Sequence, residues 1–261
     1  MPKGISLHIG LNNAMGVNPL NLAVNDAKSM QKISTKLGYE TNILLDESAT
    51  IQNVTKKIKK IASQLKEGDI FLLTYSGHGG QKPDLNGDEP DKKDETWCLY
   101  DGQLIDDSLY KLWSLFKANT RILLISDSCH SGSISKDNAF VLTKTDTFDE
   151  FGNPILEPVK ADSLEGNNSL RTKSNELKCT VKLLAASRDM EYSYELPNAS
   201  NGLFTEKLLK IWNDGNFVGN YDKFMKAIRS EVSSIQPEQT PQYWTIGLPN
   251  NTFDNQKPFT I

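Results

Sequence analysis

Short apolar runs alternate along the chain with longer segments in which apolar residues recur three or four positions apart. The runs are rich in Ile, Leu and Val, which is typical of buried strands, and they cover residues 5–10, 41–45, 70–75, 121–126 and 181–186. A last short run at 243–246 is a candidate closing strand. Helical spacing covers residues 21–37, 106–116, 202–213 and 221–233, and a further helix ends at about 65. This alternation predicts an α/β fold with a mostly parallel central sheet covered by helices on both faces.

Two of the predicted helices carry local end signals. Gly38 follows the first one, where a glycine often stops a helix by adopting a left-handed conformation. Ser48 or Thr50 is placed to cap the second, which continues through Ile51 and Val54. Residues 133–178 carry no such pattern. They are polar and rich in Asp, Asn, Ser and Lys, and so long a stretch without periodicity is usually functional or disordered.

Composition excludes several classes of protein. The chain of 261 residues has a formal net charge of −4 and no basic block, which argues against a nucleic-acid surface. No apolar run reaches the roughly 18 residues of a membrane span, and the N-terminus lacks the features of a signal peptide. We therefore expect a cytoplasmic protein without a membrane or nucleic-acid partner. Three cysteines suggest neither a disulfide framework nor a zinc site.

Two predicted strands run into unusual motifs. The third is followed by Ser76-Gly77-His78-Gly79-Gly80, and the fourth by Asp127-Ser128-Cys129-His130-Ser131. Ligand sites of parallel sheets lie beyond the carboxyl ends of the strands, so the two motifs are expected to meet there. Their small residues allow a substrate backbone to approach closely.

A thiol beside an imidazole is the arrangement that nucleophilic catalysis needs. Cys129 attacks a peptide carbonyl as a thiolate, and His78 takes the proton and returns it to the leaving amine. The backbone N–H groups of Gly79 and Cys129 are candidate donors for the oxyanion. The chemistry requires no cofactor. We interpret Cys98 and Cys179 as buried structural thiols.

These motifs resemble the catalytic histidine and cysteine motifs of metacaspases and their bacterial relatives, the orthocaspases. The resemblance extends over nearly the whole chain, including residues 24–28, 84–89, 105–107, 184–189, 202–205 and 239–242. It implies a caspase-like fold in a single domain, 1–261. Residues 1–132 then form the large-subunit-like part, 133–178 a polar loop and 179–261 the small-subunit-like part. It also implies a monomer.

The resemblance further implies cleavage of protein or peptide substrates after Arg or Lys. The family's acidic S1 pocket corresponds here to Asp26, Ser76 and Asp127. The physical interpretation agrees, because a buried pair of carboxylates is unfavourable unless a cation neutralises it. A P1 Arg or Lys supplies that cation.

Calcium activation is another property that the resemblance implies. The matching ligand positions are Asp94, Asp106 and Asp107, and the first two acids of the predicted helix at 106 also suit a helix start. The family's fourth ligand position is Lys136 here, with Asp137 next to it. Calcium is thus a candidate activator, although only three of the four ligand positions carry an acidic residue.

The polar loop corresponds to the place where this family is often cut. The basic residues available for self-cleavage are Lys144, Lys160, Arg171, Lys173 and Lys178.

Other interpretations stay open beside the peptidase. His8 reads as a satisfied core residue, and His130 as a group with a local hydrogen bond rather than the catalytic base. The alternative function is a latent or catalytically silent caspase-like module controlled by a binding partner, for example in bacterial defence or cell-death signalling. The intact pair of His78 and Cys129 argues against the silent form.

Overall fold

The described residues fold around a central sheet of eight strands. The computed structural model describes residues 2–83, 93–130, 177–187, 193–196 and 198–261, with the backbone only at 93, 94, 129 and 130. The strands are β1 (Gly4–Gly10), β2 (Glu40–Leu45), β3 (Ile70–Pro83), β4 (Lys93–Leu99), β5 (Gly102–Ile105), β6 (Arg121–His130), β7 (Thr180–Ala185) and β8 (Gln242–Gly247). Their order is β2-β1-β3-β6-β7-β8, and β4 and β5 extend the sheet from β3.

The first five strands of this order are parallel, and β8 runs antiparallel to β7. The helices of the described chain are α1 (Ala23–Lys36), α2 (Ile51–Gln64), α3 (Asp106–Trp113), α4 (Leu203–Trp212), α5 (Tyr221–Ser233) and α6 (Asn251–Asn255). The predicted α/β class with a mostly parallel, helix-covered sheet is therefore confirmed.

Alternate residues of the central strands face two separate apolar layers. In β3, Phe71 and Leu73 belong to the layer that includes α2 and α3, whereas Ile70 and Leu72 belong to the layer that includes α1, α4 and α5. This is the period of two that a strand imposes on its side chains. All four side chains are fully buried, so β3 is apolar on both faces, as parallel strands under two helical layers require.

Both predicted helix-end signals are confirmed. Thr50, rather than Ser48, is the N-cap of α2, and its hydroxyl accepts a hydrogen bond from the backbone N–H of Asn53 at 3.1 Å. Gly38 has a φ of +86° directly after the C-cap residue Leu37, so it takes the left-handed conformation that ends α1.

The ends of two strands were predicted wrongly. β3 was expected to stop at Tyr75 and β6 at Ser126, yet the strands stay paired up to Gly79 opposite His130. The Ser- and Gly-rich motifs have little intrinsic strand preference, but pairing with a neighbouring strand overrides that preference. The hairpin of β4 and β5 was not predicted either, and it pairs with the extension of β3. The two motifs therefore lie within the sheet, not in loops beyond it.

Among the described residues, no helix is both long and apolar enough to cross a membrane.

Candidate active site

His78 and Cys129 occupy neighbouring positions on adjacent parallel strands. They are register partners on β3 and β6, so their backbones lie side by side at the strand spacing of about 4.8 Å. The expected meeting of the two motifs is thus confirmed at the backbone, while the Cys129 and His130 side chains lie outside the described atoms. A histidine that is one strand away from a cysteine is within reach for proton transfer.

A backbone carbonyl orients the ring of His78. Its Nε2 lies 2.7 Å from the carbonyl oxygen of Asn18, in the loop between β1 and α1, and the side chain is half-buried. A carbonyl only accepts, so Nε2 carries the proton and Nδ1 is the nitrogen that can accept one from a thiol. Sequence reasoning missed Asn18, because nothing local marks a residue 60 positions away as a partner of His78.

The Tyr75 side chain holds the backbone of His78 through a hydrogen bond. The Tyr75 hydroxyl lies 2.6 Å from the carbonyl oxygen of His78 and 3.1 Å from that of Cys98. The Tyr75 ring stacks on Trp97 with the ring centroids 4.4 Å apart. Gly77 is required here, since a Cβ atom at that position would come within 2.8 Å of the Tyr75 hydroxyl oxygen. The glycine of the motif therefore makes room for the aromatic ring that supports His78.

Gly79, the candidate oxyanion donor, lies opposite Trp97 of β4 and opposite His130 of β6. Gly79 therefore belongs to the pairing of β3 with both β4 and β6. Its role in an oxyanion hole stays a prediction.

The three residues predicted for the S1 pocket come together. Ser76 donates to Asp26 Oδ2 at 2.8 Å and is the register partner of Asp127. Gly202 lies between the two carboxylates, because a Cβ atom there would be 3.0 Å from Asp127 Oδ2 and 3.1 Å from Asp26 Oδ2. Asp26 and Asp127 are 3% and 6% exposed, so they form a buried acidic pair at the same end of the sheet as His78.

Only neutral groups among the described residues donate hydrogen bonds to this pair. Asp26 Oδ1 accepts from the Asn201 amide at 2.8 Å and from the backbone N–H of Gly202 at 3.0 Å. Asp127 Oδ2 accepts from the backbone N–H and the hydroxyl of Thr205, and Oδ1 accepts from the Ser193 hydroxyl at 2.5 Å. Of these donors, Gly202 and Thr205 fall within the resemblance at 202–205, whereas Ser193 and Asn201 carried no signal.

Burial and mutual repulsion keep a proton on the acidic pair. Burial, with the charge of Asp127 acting in the same direction, raises the pKa of Asp26 to about 8 against the lowering effect of its hydrogen bonds. Burial also raises the pKa of Asp127, against the lowering effect of its hydrogen bonds from Ser193 and Thr205. At neutral pH the pair therefore retains a proton, and within the described part of the chain no cationic group donates a hydrogen bond to it.

The candidate calcium ligands are only partly described. Asp106 Oδ1 accepts from the backbone N–H of Asp107 at 2.8 Å, at the start of α3. Both residues, with Glu95, line a cavity of about 410 Å³ between α3 and strands β6, β7 and β8. The Asp94 side chain, Lys136 and Asp137 lie outside the described atoms. Within the described part of the chain, no three His, Cys, Asp or Glu residues group closely enough to hold a metal ion.

The remaining predicted residues divide into confirmed and undescribed ones. Cys98 and Cys179 are buried free thiols, as expected, and burial raises the pKa of both, that of Cys179 to about 11. His8 is a fully buried core histidine, also as expected.

Of the candidate processing sites, Lys144, Lys160, Arg171 and Lys173 lie outside the described residues. Lys178 is exposed, and its carbonyl accepts from the backbone N–H of Asn119 at 3.0 Å.

Comparison with known proteins agrees with this geometry. The caspase domain family matches residues 3–253 of the chain. Metacaspase-1 of Schizosaccharomyces pombe is 35% identical over 145 residues, and metacaspase-1A of Aspergillus terreus is 34% identical over 146 residues. Each alignment covers 50% of this chain, and 34% and 36% of those relatives, so the chain spans about a third of their length. The crystal structure of protein GSU0716 from Geobacter sulfurreducens aligns with a TM-score of 0.76 and 35% identity, covering 100% of this chain and 99% of that one. The chain therefore belongs to the caspase-domain peptidase family.

Proposed function

We propose that this protein is a cysteine endopeptidase that cleaves peptide bonds after Arg or Lys. The observation that carries the proposal is the buried pair of Asp26 and Asp127 at the same sheet end as the His78–Cys129 pair. A thiol and imidazole supply the acyl-transfer chemistry, and the acidic pair supplies the preference for a cation.

Catalysis would follow from the positions of these groups. The Cys129 sulfur attacks the carbonyl carbon of the P1 residue, and its proton passes to Nδ1 of His78. The tetrahedral oxyanion accepts hydrogen bonds from backbone N–H groups, for which Gly79 and Cys129 are our candidates. As the C–N bond breaks, His78 returns the proton to the amine. A water molecule then gives a proton to His78 and its oxygen to the thioester, which releases the acid and the thiol.

Selection of Arg or Lys follows from the electrostatics of the pocket. A carboxylate pair without a cation is held partly protonated, as the raised pKa of Asp26 indicates. A guanidinium or ammonium group displaces that proton and pairs with both carboxylates, with the planar guanidinium favoured. A P1 Asp would instead add a further negative charge next to Asp26 and Asp127, so we expect it to be rejected.

We further propose Ca²⁺ as an activator bound through Asp94, Asp106 and Asp107. Carboxylate oxygens are suitable hard ligands for this ion, and Asp106 and Asp107 lie side by side at the head of α3. When bound, the cation would neutralise the acids near β4. Because Lys136 occupies the fourth position, we expect an affinity that chelators readily reverse. Loss of calcium stimulation in Asp106→Asn, with basal activity retained, would support this site.

Self-cleavage in the loop at 133–178 is the third part of the proposal. Besides Lys136, the loop offers five basic residues to an enzyme with basic specificity. Lys178 is the least suitable of them, because its carbonyl is held by Asn119 and the next residue, Cys179, is fully buried. We expect the cut at one of the four earlier sites, which mass spectrometry of active enzyme would locate; an uncut active chain would contradict it.

The deciding experiment uses matched fluorogenic peptides that end in Arg, Lys or Asp, with calcium or with a chelator. Turnover of the Arg and Lys peptides that disappears in Cys129→Ala supports the proposal. Cleavage after Asp would overturn the specificity. If no peptide is cleaved in any condition, the chain is better described as a latent or silent module that needs a binding partner.

A further inference from the structure

The two residues that lead into α1 are held by Glu195, which is more than 170 positions further along the chain. The local N-cap residue, Leu22, has no side chain that can accept a hydrogen bond. Instead its backbone N–H donates to Oε1 of Glu195 at 2.7 Å. The backbone N–H of Asn21 contacts both carboxylate oxygens, at 3.2 and 3.1 Å, and the Asn21 amide donates to Oε2 at 3.3 Å. The carboxylate thus holds the N–H groups of the two residues that lead into α1, while Oδ1 of Asn12 accepts from the first-turn N–H of Val24 at 3.0 Å.

The residues on either side of this contact belong to the two parts of the candidate active site. Three positions before Asn21 is Asn18, whose carbonyl holds Nε2 of His78. Four positions after Leu22, one helical turn along, is Asp26 of the acidic pair. A displacement of the helix start would therefore move the support of His78 and the wall of the pocket together.

Glu195 is itself part of a segment that is tied to the pocket. Ser193 donates to Asp127, and the backbone carbonyl of Tyr194 accepts from the backbone N–H of Leu203 at 2.8 Å, at the start of α4. The backbone N–H of Tyr194 is directed at the amide oxygen of Gln239, 3.3 Å away. The segment 193–196 is thus fixed in the small-subunit-like part, while its carboxylate holds the large-subunit-like part.

We propose that Glu195 is a positioning residue for catalysis, which holds the loop of Asn18 and the start of α1 so that His78 and Asp26 face the same substrate. It touches no reacting atom. The inference rests on the proposed function in one respect, namely that His78 and Cys129 act as a pair. Its negative charge also acts on the pocket, since it adds to the raised pKa of Asp127.

The test compares Glu195→Gln with Glu238→Gln, a matched change at an exposed glutamate. An amide keeps the shape of the side chain but weakens the acceptor and puts an NH₂ group against the N–H groups of Asn21 and Leu22. We expect kcat/KM for an Arg peptide to fall about tenfold in Glu195→Gln, and to stay at the wild-type value in the control. The midpoints of thermal unfolding of wild type, Glu195→Gln and Glu238→Gln should agree closely.

A second readout needs no peptide. The rate at which iodoacetamide alkylates Cys129 reports how readily His78 takes the thiol proton, and Cys129→Ala gives the background from the buried Cys98 and Cys179. We expect alkylation of Glu195→Gln at pH 6 to be about tenfold slower, with the profile moved to higher pH, because a loosened Asn18 supports the imidazolium less well. If wild type cleaves no basic peptide, the proposed function fails, but alkylation still decides the role of Glu195.

The double variant Leu22→Ser with Glu195→Gln separates helix capping from positioning. Serine supplies a local cap, so this protein remains available even if the single variant unfolds. Slow alkylation in a stable double variant supports the proposal. Recovery of both stability and alkylation rate would overturn it, because helix capping alone would then suffice. Alkylation rates within twofold of wild type in Glu195→Gln would overturn it as well.

Discussion

Two buried polar clusters contact α1, and they differ in whether hydrogen bonds alone can compensate for their burial. In the first, His8 contacts the hydroxyls of Ser6, Ser34 and Thr74 at 2.8 to 2.9 Å, all within the core. Burial lowers the pKa of His8 to about 3, so the cluster is neutral. In the second, Asp26 and Asp127 are equally well hydrogen-bonded, but burial raises the pKa of each.

The difference teaches how a structural polar cluster can be told from a functional one. Hydrogen bonds complete the His8 cluster, which needs nothing from outside the protein. They cannot complete the acidic pair, because neutral donors do not supply the missing positive charge. We therefore propose that the acidic pair, at the same sheet end as the candidate catalytic dyad, binds a cationic substrate group, whereas the His8 cluster fixes α1 against β1 and β3.

Removing one charge of the pair should have the largest effect. In Asp127→Asn, the amide oxygen can still accept from Thr205 and the NH₂ group can donate to Ser193, so the fold is retained. We expect kcat/KM for Arg peptides to fall about 10³-fold, or about 4 kcal/mol, the scale on which a buried charge partner is lost.

The neutral isostere of P1 Arg, citrulline, provides the control for that measurement. Cleavage of a citrulline peptide should change little in Asp127→Asn, and Asp222→Asn, at an exposed acid, should leave both peptides unaffected. An equal loss on the two peptides would mean that Asp127 supports the fold and not the selection of charge.

Substitution in the neutral cluster should have the opposite pattern. His8→Leu removes the contacts of the imidazole and leaves the buried Thr74 hydroxyl without its partner at 2.9 Å, so we expect a loss of about 3 kcal/mol in the free energy of unfolding. Urea unfolding would measure it. The kcat/KM of the folded variant should stay within about twofold of wild type. A specific catalytic defect would contradict the distinction between the clusters.

The two clusters should also give the stability opposite dependences on pH. The pKa of His8 is lowered from 6.5 to about 3, so its contribution is complete above pH 6.5 and is lost as the pH falls toward 3. The pKa of Asp26 is raised from 3.8 to about 8, so its contribution is complete below pH 3.8 and is lost as the pH rises toward 8.

Asp26→Asn should therefore stabilise the protein at pH 8 while impairing the pocket. Its amide oxygen keeps the bonds from Asn201 and Gly202, and its NH₂ group can donate to Ser76. We expect a gain of about 2 kcal/mol at pH 8 that shrinks toward pH 4, measured by urea unfolding across that range. A loss of stability at pH 8 would show that the ionised acid already has a counter-charge.

The sequence alone predicted the residues of the candidate site, but not the residues that hold them in position. His78, Cys129 and the acidic trio lie in short motifs, so the residue types and the family resemblance were enough to select them. Asn18 and Glu195 act through contacts to residues 60 and more than 170 positions away, and no local pattern reports such a contact. The extensions of β3 and β6 were missed for a related reason, since strand pairing overrides the low strand preference of glycine and serine.

The smallest expected effect is on the pH dependence of substrate binding. A basic P1 residue must displace the proton of the acidic pair, so its apparent Kd should fall about tenfold per pH unit between pH 6 and 7 and level off above the Asp26 pKa of about 8. Calorimetry on Cys129→Ala with an uncleaved Arg peptide would measure this without turnover. The citrulline peptide should bind equally at every pH, and Asp26→Asn should flatten the dependence for the Arg peptide. A flat profile in the protein that retains Asp26 would mean that the pair is ionised before substrate arrives, which would remove the distinction between the two clusters.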